Sequence, residues 1–374
     1  MLKIATLFSG IGAFEQALKR MGIEYEIVFA CDNGNIPLEN VNFDKELEKV
    51  LSLNGAKEKR EYVENLYKTH SRKDNYVKKS YEANYKIKDD MFFYDIKLLD
   101  GRDFAGKVDI LIGGSPCQSF STVGKCGGLK DTRGTLFYEF ARLVKEIQPK
   151  MFLYENVRGL YTHDGGNTWK VIQSTFDELN YQYKFDLLNA KDYGIPQNRR
   201  RLYVVGYKEK YLKKNFEYPP TPEKNVYFTV KDILQENCKE GNFKSINGKL
   251  QIVKGGENVD KRYYLSPKVK DYVLKPGTKS FYQKPEVDLK IARTLLATMG
   301  NRHRAGIDNY HYVNGELRML TEREALRLMG FPDDFKIVVS RAQMYKQAGN
   351  SIVVDVLIHI LNIVLPQLKY WIID

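Results

Sequence analysis

The chain is poor in cysteine and has no long apolar run, and each absence excludes a class of protein. Cys31, Cys117, Cys126 and Cys238 are its four cysteines, and their spacing matches no zinc site, so no metal is expected. They are also too few for the framework of a small secreted domain, and reduced thiols in the cytoplasm are expected. No stretch approaches the roughly 20 apolar residues that a bilayer crossing needs, so no membrane association is expected. The run from Met1 to Phe8 is too short for a signal peptide before Ser9-Gly10 interrupts it. Internal repeats and low-complexity tracts are absent. Acidic residues are the minority charge: 47 Asp and Glu face 59 Lys and Arg, leaving a net charge of +12. Such an excess attracts polyanions, nucleic acid first; the alternative is a Lys-rich solvated surface.

A hydrophobic fraction of 43% is enough for a real core. Apolar runs at Leu2–Phe8, Tyr25–Cys31, Val108–Gly113, Met151–Glu155 and Arg201–Tyr207 predict buried strands. Helical spacing is predicted over Ala13–Met21, Leu136–Ile147 and Trp169–Leu179. This alternation predicts an α/β fold, a doubly wound, mostly parallel sheet covered by helices. Two stretches break the rhythm. Residues from Asn33 to about Lys79 are polar and Lys/Glu-rich, with helix predicted around Lys45–Thr69, and look like an insertion over about 36–79. From Tyr207 to Lys290 the alternation is lost, and 18 Lys and Arg stand against 11 Asp and Glu. A second, smaller, basic and irregular domain is the natural reading. Helical patterns return at Thr321–Met329 and from Ile352 to about Ile363.

Four segments carry chemistry. Phe8-Ser9-Gly10-Ile11-Gly12 follows the first strand, where glycines permit a tight turn and close approach of a ligand. Asp32 ends the second strand and is placed for a ribose; the plain alternative is an ordinary turn with a capping Asp. A third glycine three residues on would suit a pyrophosphate, but Glu15 stands there, which favours a nucleoside. Gly113-Gly114-Ser115-Pro116-Cys117-Gln118-Ser119 delivers a cysteine to the carboxyl edge of the sheet, where its thiol can act as a nucleophile. A small buried cysteine is the alternative, against which the polar flanks Ser115, Gln118 and Ser119 argue. The glycine-rich stretch 124–134 suggests a loop that closes on substrate. Glu155 ends the strand Met151–Glu155 at the same edge, as a proton donor with raised pKa or as a brace for a loop. Finally, Gln197-Asn198-Arg199-Arg200-Arg201 opens a strand with three arginines, either a solvated patch or a means of holding phosphates and developing negative charge.

Taken in order, these blocks resemble the cytosine-C5 DNA methyltransferase family, of the prokaryotic restriction–modification type. The resemblance extends through Arg133-Gly134-Thr135-Leu136-Phe137, Glu155-Asn156-Val157, Tyr193-Gly194-Ile195-Pro196-Gln197, Leu320-Thr321-Glu322-Arg323-Glu324, Met329-Gly330-Phe331-Pro332 and Gln347-Ala348-Gly349-Asn350-Ser351. It covers residues 1 to about 207 and about 291 to 360. The fold implied is the Rossmann-like one of S-adenosyl-L-methionine-dependent methyltransferases. Residues 1–207 plus 345–374 would form the catalytic domain, 208–320 the target-recognition domain and 321–344 a connecting hinge segment. The resemblance makes Cys117 the covalent nucleophile, with Glu155, Arg199 and Arg201 beside the base. It assigns Phe8, Ser9, Gly10, Gly12, Asp32, Asp95, Pro116, Leu136, Asn350 and Ser351 to the cofactor. Asp32 would meet the ribose hydroxyls, and Asp95 would lie near the adenine amine. Gln118, Ser121, Lys125, Gln197 and Thr294 would meet DNA. The aromatic residue that often follows the ribose acid in the family is replaced here by Asn33.

The implied partner is double-stranded DNA, with a cognate restriction endonuclease acting separately and a monomeric enzyme. Two alternatives stay open at this point: an RNA (tRNA) cytosine-C5 methyltransferase and a non-catalytic DNA-binding paralogue. The insertion also reads two ways. Leu47, Val50, Leu51, Val63 and Leu66 predict one or two amphipathic helices on the outside of the large domain. Lys57, Lys59, Arg60, Arg72, Lys73, Lys78 and Lys79 suit a DNA clamp, while Glu46, Glu48, Glu58, Glu61 and Glu64 favour a solvated ornament.

Overall fold

Runs that are apolar at every position, rather than at alternate ones, need cover on both faces of their sheet. The computed structural model describes residues 1–116, 136–218, 220–221, 228–278, 281–282, 284–299 and 306–368. Its central sheet uses β1 (Leu2–Leu7), β2 (Tyr25–Cys31), β3 (Phe92–Phe93), β4 (Ile110–Gly113), β5 (Met151–Val157), β6 (Gln182–Asn189) and β8 (Arg200–Tyr207). A short β7 (Gln197–Asn198) pairs instead with Ala292–Arg293. The seven strands lie in the order β3-β2-β1-β4-β5-β8-β6. All neighbours from β3 to β5 are parallel, whereas β8 runs antiparallel to both β5 and β6. Successive residues go to opposite faces. Ile4, Ile110, Leu153 and Val205 enter one core, while Ala5, Leu111, Phe152 and Val204 enter the other. The chain leaves β1 toward β2 and reaches β4 on the other side, so the strand order reverses between β1 and β4. Open α/β sheets bind ligands at such a point, outside the carboxyl ends of the strands.

The first face is covered by α1 (Ala13–Arg20). The inserted segment forms α2 (Phe43–Ser52) and α3 (Gly55–His70), which lead into α4 (Tyr76–Asn84); α5 (Leu136–Ile147) covers the second face. After α6 (Gly159–Thr162) and α7 (Asn167–Glu178), the described part of 208–320 has only short elements, among them α8 (Val230–Ile233) and α9 (Pro267–Val273). It also holds the antiparallel pairs Phe243–Ile246 with Lys249–Ile252, and Tyr310–Val313 with Glu316–Met319. The chain then forms α10 (Glu322–Arg327), α11 (Arg341–Asn350) and α12 (Val354–Val364).

Buried arginines join these parts. Arg20 on α1 makes two 2.8 Å bonds to the Asp355 carboxylate on α12 and donates to the Gly248 and Gly330 carbonyls. Arg327 binds Asp333 and the carbonyls of Ile233, Cys238 and Lys239. Residues 320–332, within and just before the stretch read as a connecting segment, are buried throughout. Among the described residues, one helical stretch, 341–367, is long and apolar enough to cross a membrane by length and composition alone. It is interrupted at Ser351–Val353, and Val354, Leu357, Ile360, Leu361 and Val364 are buried in the core.

The insertion has a small core of its own, built from Ile36, Val50, Val63, Leu66, Tyr67 and Leu98. Leu51, expected on the packed face, is 42% exposed instead. Most of its cations are already neutralised: Arg60 by Glu64 at 2.7 Å, Lys78 by Glu64 at 3.3 Å, Lys79 by Asp74 at 2.6 Å and Lys59 by Asp100 at 2.8 Å. Replacing the exposed Arg72, Lys73 and Lys79 with Ala is therefore expected to change the slope of log K against log salt, for duplex DNA, by less than about one. A slope shallower by about two or more would place this surface on the phosphates.

Candidate active site

Phe8 follows β1 with φ of 53°, a left-handed conformation that a bulky residue holds only under surrounding packing. That packing comes from the core cluster containing Phe29 and Phe137, against which Leu136, the first residue of α5, also rests. The turn then hooks over the end of β2. The Ser9 amide donates to the Cys31 carbonyl at 3.1 Å, and the Gly10 amide to the Asp32 carboxylate at 3.0 Å. The other Asp32 oxygen accepts from the Gly34 amide at 2.8 Å. Gly12 has φ of 73°, and a Cβ there would lie 2.2 Å from the Tyr85 ring, so glycine alone fits. The Ser9 hydroxyl is buried and has no partner among the described residues.

Two carboxylates face this edge, Asp32 half-buried and Asp95 buried. Burial raises the pKa of Asp32, opposed by the Gly34 and Gly10 amides and by Lys346 of α11. Burial also raises Asp95, just beyond β3, opposed by the Tyr67 hydroxyl at 2.7 Å and the Lys97 amide at 2.9 Å. The late segment comes back to the same region. Gln347 accepts from the Ser80 hydroxyl at 2.7 Å and donates to the Tyr76 carbonyl at 3.0 Å, while Asn75 donates to the Asp32 carbonyl at 2.8 Å. Asn350 ends α11 exposed, and the buried Ser351 donates its hydroxyl to the Ile352 carbonyl.

Three adjacent strands, β4, β5 and β8, bring the second cluster together at the same edge. Gly114 leaves β4 so close to β5 that a Cβ would meet the Glu155 carbonyl and carboxylate, each at 3.0 Å. The Asn156 amide donates to the Ser115 carbonyl and to the Tyr154 hydroxyl, both at 2.8 Å, and the Ser115 and Tyr154 hydroxyls share a 2.7 Å bond. Pro116 follows this clamp. Cys117, Gln118, Ser121, Lys125 and the remainder of the expected closing loop through Thr135 lie outside the described residues. The Glu155 side chain is 13% exposed, with Arg201 Nε 3.4 Å from its carboxylate. Burial raises its pKa, and the charges of Arg201 and Arg199 only partly offset this.

Other expected site residues have their hydrogen-bond partners within the chain. Arg199 is buried and donates to the carbonyls of Leu295, Gly349 and Ser351 at 3.0, 3.0 and 2.8 Å. Desolvation and the neighbouring Arg201 lower its pKa to about 9. Its terminal nitrogens brace two distant segments, at residue 295 and at residues 349–351. Gln197, expected at DNA, is fully buried: its amide donates to the Leu328 carbonyl at 2.7 Å and accepts from the Leu295 amide at 3.0 Å. Thr294 is half-buried and donates to the Asn198 carbonyl at 2.6 Å. Tyr67 and Tyr154 carry no motif signal, and sequence reasoning passed over both.

Comparison with known proteins fits this arrangement. The family model for C-5 cytosine-specific DNA methylase matches residues 55–365. The type II methyltransferase M1.ScrFI of Lactococcus lactis subsp. cremoris is 39% identical over 290 residues, covering 75% of this chain and 67% of its own. The type II methyltransferase M.HhaI of Haemophilus parahaemolyticus is 36% identical over 288 residues, covering 77% and 84%. Among solved structures, the Dnmt2 methyltransferase of S. pombe aligns over 98% of both chains with a TM-score of 0.64 at 17% identity, a likeness of fold alone. The chain thus belongs to the C-5 cytosine-specific DNA methylases, and it is a DNA (cytosine-5)-methyltransferase of the restriction–modification type.

Proposed function

We propose that the enzyme uses S-adenosyl-L-methionine to methylate a cytosine flipped out of a specific double-stranded DNA sequence, through a covalent adduct between Cys117 and C6. The observation that carries this reading is the clamp of Gly114-Ser115-Pro116 onto β5. It brings the residues just before Cys117 against Glu155, a half-buried carboxyl whose pKa burial raises. The cofactor edge suits a nucleoside. Asp32 would hold the ribose and Asp95 the base, and the unpartnered Ser9 hydroxyl and the backbone of Gly10 and Gly12 line the approach. When bound, S-adenosyl-L-methionine supplies an electrophilic methyl group to the activated C5.

Cytosine C5 is a poor nucleophile until the ring gains electrons. Attack of the Cys117 thiolate at C6 forms a C–S bond and moves an electron pair toward C5 and N3. Glu155 donates its proton or a hydrogen bond at N3, and Arg201 pairs with the cytosine carbonyl, so charge does not accumulate on the ring. Loss of the C5 proton then expels the thiolate and restores the aromatic ring. Arg199 acts through position, holding the Arg201 segment against residues 295 and 349–351. The base must leave the duplex for this chemistry, at a few kcal/mol, offset by contacts from the basic 208–320 region and the Cys117 loop. The enzyme acts as a cytoplasmic monomer on DNA, with a separate restriction endonuclease as its counterpart.

Cys117→Ser is expected to abolish turnover and leave cofactor binding intact. With 5-fluorocytosine at the target, the wild-type enzyme should form a denaturation-resistant complex, because fluorine does not leave as a proton does. Its absence would contradict the covalent route. Glu155→Gln should lower kcat by about 10²-fold or more. Stability moves the other way. Because folding raises this pKa from its ordinary 4.5, the proton-linked stability is complete below that value and is lost as pH climbs through the folded value. Urea unfolding of the cofactor-free protein should therefore show the Gln variant gaining on the wild type as pH rises to neutrality. The opposite trend would mean that Arg201 holds Glu155 as a carboxylate.

A further inference from the structure

The insertion gives one observation that neither an ornament nor a DNA clamp requires. Tyr67 of α3 is 3% exposed, and its hydroxyl donates 2.7 Å to Oδ2 of Asp95. Packing alone would be met by phenylalanine, since the ring already packs, tilted by 43°, at 5.1 Å from that of Tyr94. Helix α3 is also pinned where it meets the sheet. Lys59 reaches Asp100 at 2.8 Å and Asp103 at 2.9 Å, on the segment that follows Asp95. The hydroxyl thus sits at a fixed place against a fixed carboxylate.

We propose that Tyr67 is a positioning residue of the nucleoside site, holding Asp95 so that its carboxylate receives the exocyclic amine of adenine. The proposal rests on the S-adenosyl-L-methionine reading above. Topology supports it: outward from the reversal point the strands run β1, β2, β3, with Asp32 at the end of β2 and Asp95 just past β3. A nucleoside with its ribose on Asp32 extends its base toward Asp95. Asp95 spends one lone pair of Oδ1 on the Lys97 amide and one of Oδ2 on Tyr67, and each oxygen keeps another. That remaining capacity accepts an N–H and repels a carbonyl. Burial and the Asp95 charge keep the Tyr67 hydroxyl protonated, so it always donates.

The test compares S-adenosylhomocysteine with S-inosylhomocysteine, in which a carbonyl replaces the amine, by calorimetry on the wild type and Tyr67→Phe. The wild type should prefer the adenosyl compound by about tenfold or more. Tyr67→Phe should weaken the adenosyl compound about five- to tenfold and leave the inosyl compound nearly unchanged, so the preference collapses. The KM for S-adenosyl-L-methionine should rise with it, while kcat at saturation holds. An unchanged preference would overturn the proposal. So would an equal loss for both ligands accompanied by a lower melting temperature, which would make Tyr67 a packing residue only. A wild type that binds neither ligand would overturn the cofactor reading itself, before any variant is compared.

Discussion

The end of β5 is the constraint on which the site depends. Tyr154, Glu155 and Asn156 are consecutive, so their side chains alternate between faces, yet all three serve the same loop. Tyr154 and Asn156 fasten Ser115, and Glu155 lies against Gly114. The antiparallel course of β8 completes the arrangement. In that register Arg201 lies opposite Val157, so the start of β8 meets the carboxyl end of β5. A parallel β8 would deliver its arginines to the far edge of the sheet. One reversed strand therefore brings a cation to the same place as the Glu155 carboxyl and the Gly114–Ser115 segment.

This site is assembled against local preference. Glu155, Asp32 and Asp95 are carboxylates under desolvation, and Phe8 holds a left-handed backbone. Local strain of this kind persists because the surroundings over-determine it. The sheet is packed on both faces, and Arg20, Arg199, Arg318 and Arg327 are buried with carboxylate or carbonyl partners that bind distant segments together. Such buried guanidiniums depend on these partners, and removing one leaves an uncompensated charge inside the protein.

The strands that are apolar throughout were legible in the sequence, and so were the motif residues at their carboxyl ends, because burial on two faces leaves continuous runs. The remainder was hidden for physical reasons. Strand β6 lies at the sheet edge and alternates weakly, with Gln182, Lys184, Phe185 and Asp186 exposed. Helix α11 reads as polar because its buried residues include Gln347 and Gly349. Nothing in an antiparallel strand's sequence announces its direction, so β8 could be located but not oriented. Gln197 and Arg199 belong to a motif with a chemical role, yet their partners are backbone carbonyls and an amide supplied by residues about 100 or more positions away. Tyr67 gave no signal because an insertion has no motif against which to read it.

The central claim is that this chain methylates C5 of cytosine in DNA. Bisulfite sequencing of DNA and RNA from cells that express it, beside cells expressing an inactive variant, tests that claim most directly. The account predicts protected cytosines at one fixed position within one short DNA sequence, present only with the active protein. Protection confined to tRNA, or none in either nucleic acid, would contradict it.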